Sequence, residues 1–423
     1  MKRVIVILGL IAHHFAFAGG FQLNVQGVKA VGLGGAFTGL STDASSVFFN
    51  PGAMSLLSGH HIMGGVHLVT PSVSLQTAVN YNIDQTTGNA NPLHFYYVGQ
   101  VNDKINVGFL VNNQFGSSSS FEDDWQGRFI VQNISLKTFM FQPTASYKLH
   151  EKISIGAGFV YTMGSFSYAK GVPVSSETIE YGQANLSGKG NGYGFNVGVY
   201  SKLLEKENYT LSLGVDYRSK IKIDLPDGTV EFSNIPVSLK DKFPESTNFK
   251  SELNLPSVFT AGFAFKYTKP ENFDYTFVYD FNYTGWSSYD TLAFDFENAD
   301  TPDSKTPKNW KNVPTHRMGI EVLYKQKLAV RGGLYIDKTP IEDGYVSPEL
   351  PDADQTAYTA GLGYKINDHF EVDLSYIRQN SEREASLDNE GFSAIYRRKV
   401  NVYGISVHYN FTCNKKASQS SIE

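Results

Sequence analysis

The sequence predicts an all-β fold, a transmembrane antiparallel β-barrel of about fourteen strands with an N-terminal plug inside it. Three observations support this prediction. Apolar and polar residues alternate with period two along most of the chain, aromatic residues are abundant with 25 Tyr and 30 Phe, and the connections between the alternating stretches are short and long in turn. After the first residues, no apolar run approaches the roughly 18 residues that a membrane-spanning helix requires.

The alternation is clearest in residues 209–217, 275–283, 370–376 and 403–411. In the first stretch Tyr, Leu and Val occupy the odd positions, and Thr, Ser, Gly and Asp occupy the even ones. Period two places each set on one face of a strand, but this alone does not decide which face meets water. Because charged residues and glycines share the polar face and aromatic residues end the apolar one, we expect the apolar face to point outward into lipid.

The predicted strands are residues 61–81, 93–101, 105–113, 134–149, 153–168, 190–204, 209–223, 256–268, 274–296, 316–325, 327–337, 356–366, 369–380 and 400–411. Pro71 should kink the first strand or place it at an edge without ending it. The long connections are residues 116–133, 169–189, 224–255, 297–315, 338–355 and 381–399. Short turns on one rim and long loops on the other are typical of bacterial outer-membrane barrels, and an even strand number puts both chain ends on the short-turn, periplasmic rim.

The first 18 residues predict a secretory signal peptide, with Lys2 and Arg3 before an apolar run and a small-x-small site ending at Ala18. The net charge is −5, and removal of this basic start leaves a more acidic chain, which does not suggest a nucleic-acid partner. The one cysteine, Cys413, excludes an internal disulfide framework. We expect residues 19–60 to form the plug, residues 61–411 the barrel and residues 412–423 a polar tail.

The plug is expected to contain tight turns and two short helical turns. Residues 32–39 are rich in glycine. Asp43 can cap one helical turn and Asn50 a second, and Pro51 suits the first position of that second turn because its missing N–H would have no partner there.

Several short motifs resemble those of the FadL/TodX family, FadL-type outer-membrane transporters of long-chain fatty acids and other hydrophobic compounds. They are residues 20–24, 32–37, the turn at 50–52, 255–256, 283–287, 309–312, 331–340 and 351–354. The resemblance covers the chain after the signal peptide. It implies a barrel closed by an N-terminal hatch, with ligand captured at the outer loops, passed to an apolar pocket beside the hatch, and released sideways into the membrane at a kinked strand.

The resemblance also implies roles for individual residues. Those assigned to the hatch and the ligand pocket are Phe21, Asn50, Pro51, Gly52, Lys311, Arg317 and Asp337, with the two basic residues near the ligand head group. The kink beside the lateral gap is expected at Asn112, Asn113 and Gly116. Two features depart from the family pattern: Gly52 replaces an alanine, and a polar tail follows Phe411, where such barrels usually end.

Other interpretations remain open at this stage. The basic residues at 311 and 317 can be solvated charges that face lipopolysaccharide, and Asp352 with Asp354 can bind a divalent cation or belong to a solvated loop. Ser167 and Lys170 match a Ser-x-x-Lys nucleophile pattern, but its companion motifs are lacking, so we expect no enzyme, no metal and no cofactor. The alternative functions are uptake of monoaromatic hydrocarbons, an adhesion or porin barrel, and an outer-membrane lipase. The expected partners are the hydrophobic ligand, outer-membrane lipid with lipopolysaccharide, and the barrel-assembly machinery.

Overall fold

A computed structural model describes residues 19–40, 42–79, 82–269 and 272–412. The predicted signal peptide and nearly all of the predicted tail, residues 413–423, lie outside the described residues.

The described residues contain twenty strands and two short α-helices. The strands are β1 (His60–Gln76), β2 (Ile83–Asp84), β3 (Leu93–Gln100), β4 (Ile105–Asn112), β5 (Gly116–Ser120), β6 (Asn133–His150), β7 (Ile153–Val172), β8 (Gly182–Glu205), β9 (Tyr209–Arg218), β10 (Ile221–Ser233), β11 (Ser246–Leu255), β12 (Val258–Lys269), β13 (Phe273–Thr284), β14 (Thr291–Phe296), β15 (Ser304–Pro307), β16 (Val313–Tyr324), β17 (Leu328–Asp337), β18 (Gln355–Lys365), β19 (Phe370–Leu387) and β20 (Phe392–Phe411).

Fourteen of these strands form a closed antiparallel barrel, as predicted. Its order is β1, β3, β4, β6, β7, β8, β9, β12, β13, β16, β17, β18, β19 and β20, and β20 pairs with β1 to close the wall. His60, at the start of β1, pairs with Phe411, at the end of β20, so the wall begins and ends on the rim of the short turns. A closed wall leaves no free edge, which is what a sheet in lipid requires.

The apolar face of the wall points outward, as the sequence predicted. On β9, Leu213, Val215 and Tyr217 are exposed, whereas the intervening Ser212 and Asp216 are buried inside the barrel. Long apolar side chains on the outside and polar ones on the inside are the arrangement of a barrel whose solvent is lipid.

Six further strands extend the wall or its loops on the side of the long connections. Two of them, β10 and β11, pair with each other, and β10 also pairs with β8, within a stretch predicted to be a loop. Their apolar residues, including Phe232 and Phe249, pack with Leu292 and Phe294 of β14. The strand predicted at residues 274–296 is divided in two, because a 3₁₀ turn at Trp286–Ser288 separates β13 from β14.

Pro71 lies within β1, which continues through it and pairs with β20 along its whole length. Val69, Pro71 and Val73 occupy alternate positions of β1, so their backbone nitrogens point to the same side of the strand. The Val69 N–H donates to the Ala90 carbonyl, on the side away from β20. A proline at such a position removes no hydrogen bond to β20, so the strand does not end there.

Residues 19–57 precede the wall and lie inside it. They include α1 (Val28–Gly32), α2 (Ser46–Phe49) and a 3₁₀ turn at Pro51–Leu56. Most of their apolar side chains are fully buried, among them Val28, Leu33, Phe37 and Met54. None of the described helices is long and apolar enough to span a membrane.

Candidate ligand pocket and the N-terminal segment that closes it

The Asn50-Pro51-Gly52 turn is fully buried against the wall. The Asn50 Oδ1 accepts from the Gly52 N–H at 3.0 Å, and Pro51 holds the first position of the 3₁₀ turn, which confirms the predicted cap. The Asn50 Nδ2 donates to the carbonyl of Thr38 and to that of Val199 on β8, both at 3.0 Å. One side chain therefore closes its own turn, joins it to the glycine-rich stretch and attaches both to the wall.

The Asp43 side chain acts differently from the predicted cap. Its Oδ1 accepts from the Ser45 N–H at 2.8 Å and from the Ser45 hydroxyl at 2.6 Å. Ser45, not Asp43, is the residue that precedes α2. The carboxylate thus stabilises the turn before the helix, without capping its first N–H groups.

Wall glycines make the close approach of this turn possible. A Cβ atom at Gly156 would overlap Pro51, one at Gly198 would overlap the Asn50 amide, and one at Gly214 would overlap a backbone carbonyl of the segment. The fit extends to Gly52, whose own Cβ would lie 2.9 Å from the Gly198 carbonyl oxygen. A glycine at position 52 therefore suits the close approach of the turn to β8.

A buried wall carboxylate holds the glycine-rich stretch. The Asp280 Oδ2 accepts from the Phe37 N–H at 2.9 Å, the Thr38 N–H at 3.0 Å and the Thr38 hydroxyl at 2.7 Å. Three donors converge on this one oxygen, so Asp280 is a strong anchor for residues 37–38.

Arg317 and Asp337, both predicted site residues, lie beside this segment on adjacent wall strands. The buried Arg317 guanidinium donates from Nη2 to the Asn24 Oδ1 at 2.7 Å and from Nε to the Asn282 Oδ1 at 3.0 Å. The Asn24 Nδ2 in turn donates to the Asp337 Oδ2 at 3.3 Å. In this structure the two charged residues hold Asn24 between them; neither lines the apolar cavity described below.

Helix α1 is joined to the wall by a buried charge network. The Lys29 ammonium lies 3.1 Å from Glu371 and 3.8 Å from Asp43. Burial alone would lower the pKa of Lys29, but the carboxylates of Glu371, Asp373 and Asp43 outweigh burial and raise that pKa. Arg331 of β17 pairs with Asp373 in the same network, so charge on α1 is compensated by charge on the wall.

Phe21 lies at the centre of an aromatic cluster. Its ring centroid is 4.7 Å from that of Trp286, 5.3 Å from Tyr289, 5.6 Å from Trp310 and 6.0 Å from Phe115, and three of the four contacts are edge-to-face. The cluster forms one side of an apolar cavity of about 50 Å³. The cavity is lined by Phe21, Ser117, Ile134, Leu136, Phe166, Leu253, Tyr289, Leu292, Lys308, Trp310, Ile341, Tyr345, Ser347, Glu349 and Leu350.

One buried ion pair lines this cavity. The Lys308 ammonium pairs with the Glu349 carboxylate, and both side chains are about nine-tenths buried. Burial, with a contribution from the Glu349 charge, raises the pKa of the neighbouring Tyr289 hydroxyl. The predicted head-group residue, Lys311, is instead exposed and lies 3.4 Å from Glu342. The basic side chain in the cavity is Lys308, which the sequence interpretation did not select.

The wall is interrupted where the kink was expected. The pairing of β4 with β6 ends at Asn112, and the pairing of β5 with β6 begins at Gly116. The three residues between these points, 113–115, lie opposite only two residues of β6. The interrupted backbone pairs instead with the N-terminal segment: the Leu23 N–H donates to the Gln114 carbonyl at 2.8 Å, and the Gly116 N–H donates to the Phe21 carbonyl at 3.0 Å. The break in the wall and Phe21 are therefore directly connected.

Asn113 bridges the two sides of this break. Its Nδ2 donates to the Thr138 carbonyl on β6 at 2.6 Å, and its Oδ1 accepts from the N–H of Leu93, the first residue of β3, at 3.0 Å. The ladder between β3 and β4 ends at His94 and Asn112. Beyond it, side-chain hydrogen bonds of Asn113 join the neighbouring strands.

The other sequence candidates are separated. Ser167 and Lys170 lie three residues apart on the regular strand β7, so they point to opposite faces of the wall. Asp354 pairs with Lys338 at 2.9 Å, while Asp352 is buried and accepts from the Thr339 hydroxyl at 2.8 Å. In the ranges that the structure describes, no group of three or more His, Cys, Asp or Glu side chains is arranged to hold a metal ion.

These features define a class: a closed transmembrane barrel whose interior is occupied by its own N-terminal segment, beside an apolar pocket and an interruption of the wall. The chain belongs to the outer membrane protein transport protein family (OMPP1/FadL/TodX), whose family model matches residues 9–411. The protein is therefore an outer-membrane protein of a transport family.

Individual relatives agree with this assignment. The chain is 26% identical to the long-chain fatty acid transport protein of Escherichia coli O6:H1, over 94% of this chain and 95% of the relative. It is 24% identical to the protein of the same name from Salmonella typhi, over 97% and 98%. Among solved structures, a Pseudomonas aeruginosa FadL homologue has a TM-score of 0.78 at 17% identity, covering 93% of this chain and 100% of that one. The Pseudomonas putida toluene transporter TodX has a TM-score of 0.72 at 15% identity, covering 91% and 98%.

Proposed function

We propose that this protein carries long-chain fatty acids through the outer membrane, by way of the cavity beside Phe21 and the interruption of the wall after β4. The observation that carries the proposal is the composition of the cavity. Its lining is apolar except at a few positions, and among these the Lys308–Glu349 pair brings a buried cation to it. An apolar chain with one terminal carboxylate matches both properties.

The energetics favour a route along an apolar surface. Each methylene group that leaves water contributes about 0.8 kcal/mol, so a long acyl chain is strongly stabilised in the cavity compared with an aqueous pore. The cavity of about 50 Å³ holds a few water molecules. A fatty acid therefore enters only when cavity side chains move, and Phe21 is the lining residue contributed by the N-terminal segment.

The buried ion pair provides the polar end of the site. A ligand that enters as the neutral acid can pass its proton to Glu349 and take its place at Lys308, so that Glu349 becomes neutral and the ammonium keeps one carboxylate as its counter-ion. A buried ammonium without a partner is costly, which favours an acidic ligand over a neutral one. A monoaromatic hydrocarbon, the alternative ligand, fits the aromatic cluster but has no charged group to interact with the Lys308–Glu349 ion pair.

The interruption of the wall provides the exit. At residues 113–115 the ladder to β6 is broken, and the backbone there is hydrogen-bonded to residues 21–23. Displacement of Phe21 by a ligand pulls on the same backbone that closes the break. We propose that this coupling opens a lateral path from the cavity to the membrane, with Asn112, Asn113 and Gly116 at its edge.

The remaining partners are proposed from position alone. Lipopolysaccharide surrounds the outer rim, where exposed basic residues such as Lys311 can contact its phosphates. The barrel-assembly machinery receives the last wall strand, β20, which alternates exposed apolar Tyr403, Ile405 and Val407 with inward polar residues and ends at Phe411.

The test compares two lysines three residues apart. Lys308→Met and Lys311→Met are expressed in Gram-negative cells that lack their own fatty acid transporter, and uptake of labelled oleate and labelled toluene is measured in each. We expect Lys308→Met to reduce oleate uptake about tenfold and to leave toluene uptake unchanged, while Lys311→Met changes neither. A buried hydrogen-bonded charge is worth roughly 1.5–3 kcal/mol, which corresponds to tenfold or more.

Equal loss of oleate and toluene uptake in Lys308→Met would contradict the head-group assignment. If the unmodified protein takes up toluene but not oleate, the proposed route is supported, but the ligand is a monoaromatic hydrocarbon and not a fatty acid. If neither compound is taken up by a correctly inserted barrel, the transport proposal fails.

A further inference from the structure

Two buried carboxylates lie beside the first described residues of the chain. The Gly20 N–H donates to the Asp352 Oδ2 at 3.1 Å, and a Cβ atom at Gly19 would lie only 2.5 Å from the Asp337 Oδ2. Asp337 is 3% exposed and Asp352 is 1% exposed. Carboxylates are rarely buried this deeply without a cation as partner.

Their neighbours provide no such cation within ion-pair distance. Among the described residues, neither Asp337 nor Asp352 belongs to an ion pair, and the buried Asp352 Oδ1 accepts no hydrogen bond. The charged side chains around them donate to other groups: Lys338 pairs with Asp354, Arg383 donates to backbone carbonyls and to Asp343, and Arg317, whose charge also acts on Asp337 from beyond ion-pair distance, donates to Asn24 and Asn282. Burial raises the pKa of the Asp352 carboxyl to about 7, with Arg398 opposing the rise.

The chain fits tightly between these groups. Gly20 has a positive φ of 62°, and its Cβ would lie 2.7 Å from the Trp310 ring and 2.8 Å from the Trp286 ring. Gly20 therefore cannot carry a side chain, and a side chain at Gly19 would have to displace the Asp337 carboxylate. We call Asp337, Asp352, Trp286 and Trp310 the N-terminal socket.

We propose that the N-terminal socket binds the α-ammonium group that signal-peptide removal creates at Gly19, and that Asp337 and Asp352 are its counter-ions. The α-nitrogen is bonded to the same Cα atom as the Cβ position used above, so it lies within roughly 5 Å of the Asp337 Oδ2. In the precursor this nitrogen is a neutral amide. After cleavage following Ala18 it is a cation among two buried carboxylates.

The consequence is that removal of the signal peptide is coupled to closure of the barrel by the N-terminal segment. Attachment of Gly19 fixes the position of Phe21, two residues later, and Phe21 lies against the cavity and the interrupted wall. Loss of one partner of a buried ion pair is strongly destabilising, because it leaves the other charge buried without compensation. The socket therefore holds the N-terminal segment firmly only in the mature chain. This inference concerns the mature N-terminus and does not depend on which ligand is transported.

The test measures the pKa of the α-amino group in the complete mature protein in detergent. Intact mass first establishes whether the chain starts at Gly19. Competitive labelling with trace isotopic acetic anhydride is then carried out between pH 6 and pH 10, and the N-terminal peptide is quantified by mass spectrometry. An ordinary α-amino group has a pKa of about 7.7–8.0. We expect a value at least one pH unit higher, and hence a roughly fivefold lower fraction of reactive neutral amine at pH 8.

The variants separate charge from burial. Asp337→Asn and Asp352→Asn, singly and together, should return the α-amino pKa toward its ordinary value, while Asp354→Asn, in the same loop but paired with Lys338, should leave it raised. If the double variant does not fold, the α-amino pKa of the single Asp352→Asn variant decides whether the carboxylates act as counter-ions. An ordinary pKa in the unmodified protein, an elevated pKa that is unaffected by both substitutions, or a mature chain that starts at another residue would each overturn the proposal.

A second measurement tests the consequence. A Ser-Ala extension before Gly19 displaces the ammonium from the socket. The backbone N–H groups of residues 20–24 should exchange with solvent deuterium faster in the extended chain than in the unmodified chain, and Asp337→Asn should add little to the effect of the extension. Additive effects of the two changes would show that the carboxylate and the N-terminus act independently, against the proposal.

Discussion

Two parts of the N-terminal segment are held by different kinds of interaction. Residues 28–57, the body, contact the wall mainly through the backbone, which lies against wall glycines and donates to Asp280. Residues 19–24, the lead, make backbone hydrogen bonds at Gly20, Phe21 and Leu23 and place the Phe21 ring in the aromatic cluster. The body is thus fixed by shape and by buried hydrogen bonds, whereas the lead adds to its hydrogen bonds the aromatic contacts of Phe21, which a ligand can replace.

This difference explains how one segment can both close the barrel and respond to a ligand. A buried backbone N–H that loses its acceptor costs about 1–3 kcal/mol, so the body moves only if several such bonds break. Aromatic contacts contribute about 0.5–1.5 kcal/mol each beyond burial and can be exchanged for contacts with an apolar guest. The body is suited to be a permanent plug, and the lead is suited to be the moving part.

Loss of the Asp280 carboxylate should have the largest effect on the body. Asp280→Ala leaves the N–H groups of Phe37 and Thr38 without their acceptor, at a cost of about 2–6 kcal/mol to docking of the body. We expect a large rise in ion conductance of the purified protein in planar bilayers, with the heat-resistant barrel band on gels retained.

The control for this variant lies on the same strand and face. Asp274→Ala removes a carboxylate of β13 whose partners are Lys266 and Gln326 near the rim. It should leave the conductance low. Equal conductance in the two variants would mean that the change follows from general weakening of β13.

A single methyl group on the wall should have the next largest effect. Gly214→Ala places a Cβ atom on the Thr38 carbonyl and close to the Asn50 amide, and overpacking of this kind costs typically about 1–3 kcal/mol. We expect a smaller rise in conductance than for Asp280→Ala. In Gly332→Ala, the new atom meets nothing within 4 Å, so conductance should not change. A response to both substitutions would show that the wall, not the contact, is affected.

The parts of this structure that the sequence predicts are those encoded locally. Alternation along 209–217 or 403–411 predicts the strand and its two faces, because period two is a property of a few consecutive residues. The charged residues and glycines of one face and the terminal aromatic residues of the other then indicate which face points outward. The cap formed by Asn50 with Pro51 is equally local. The strands β10 and β11 were missed because their apolar residues occur within a long polar stretch that contains Pro226 and Gly228, which are typical turn residues.

The cavity could not be predicted in the same way. Its residues come from distant loops, and only the closed barrel brings Phe21 to Trp286 and Trp310. Lys308 and Lys311 lie in one polar stretch without periodicity, so the sequence gives no reason to choose the buried one. Asp216, Asp274 and Asp280 all occupy the polar face of their strands; which of them meets the N-terminal segment depends on how that segment docks. The charge pattern of the N-terminal socket likewise needs the position of Gly19 in space.

The smallest effect on closure, and the sharpest contrast with the body, is expected for the lead. Phe21→Ala removes a ring that contacts Trp286, Tyr289 and Trp310, but it leaves the anchors of the body unchanged. Bilayer conductance should therefore stay at the level of the unmodified protein. Fatty acid uptake should fall roughly fivefold, because about 1 kcal/mol of aromatic contact is lost from the cavity.

The control for Phe21→Ala is Phe109→Ala, which removes the same ring from the outward face of β4, where Phe109 is 37% exposed. It should change neither uptake nor conductance. If Phe21→Ala instead raised conductance as much as Gly214→Ala, the lead would be part of the permanent plug. Normal conductance with reduced uptake would show that the two parts of one buried segment have separate tasks, because the body closes the barrel and the Phe21 ring of the lead makes aromatic contacts that a ligand can replace.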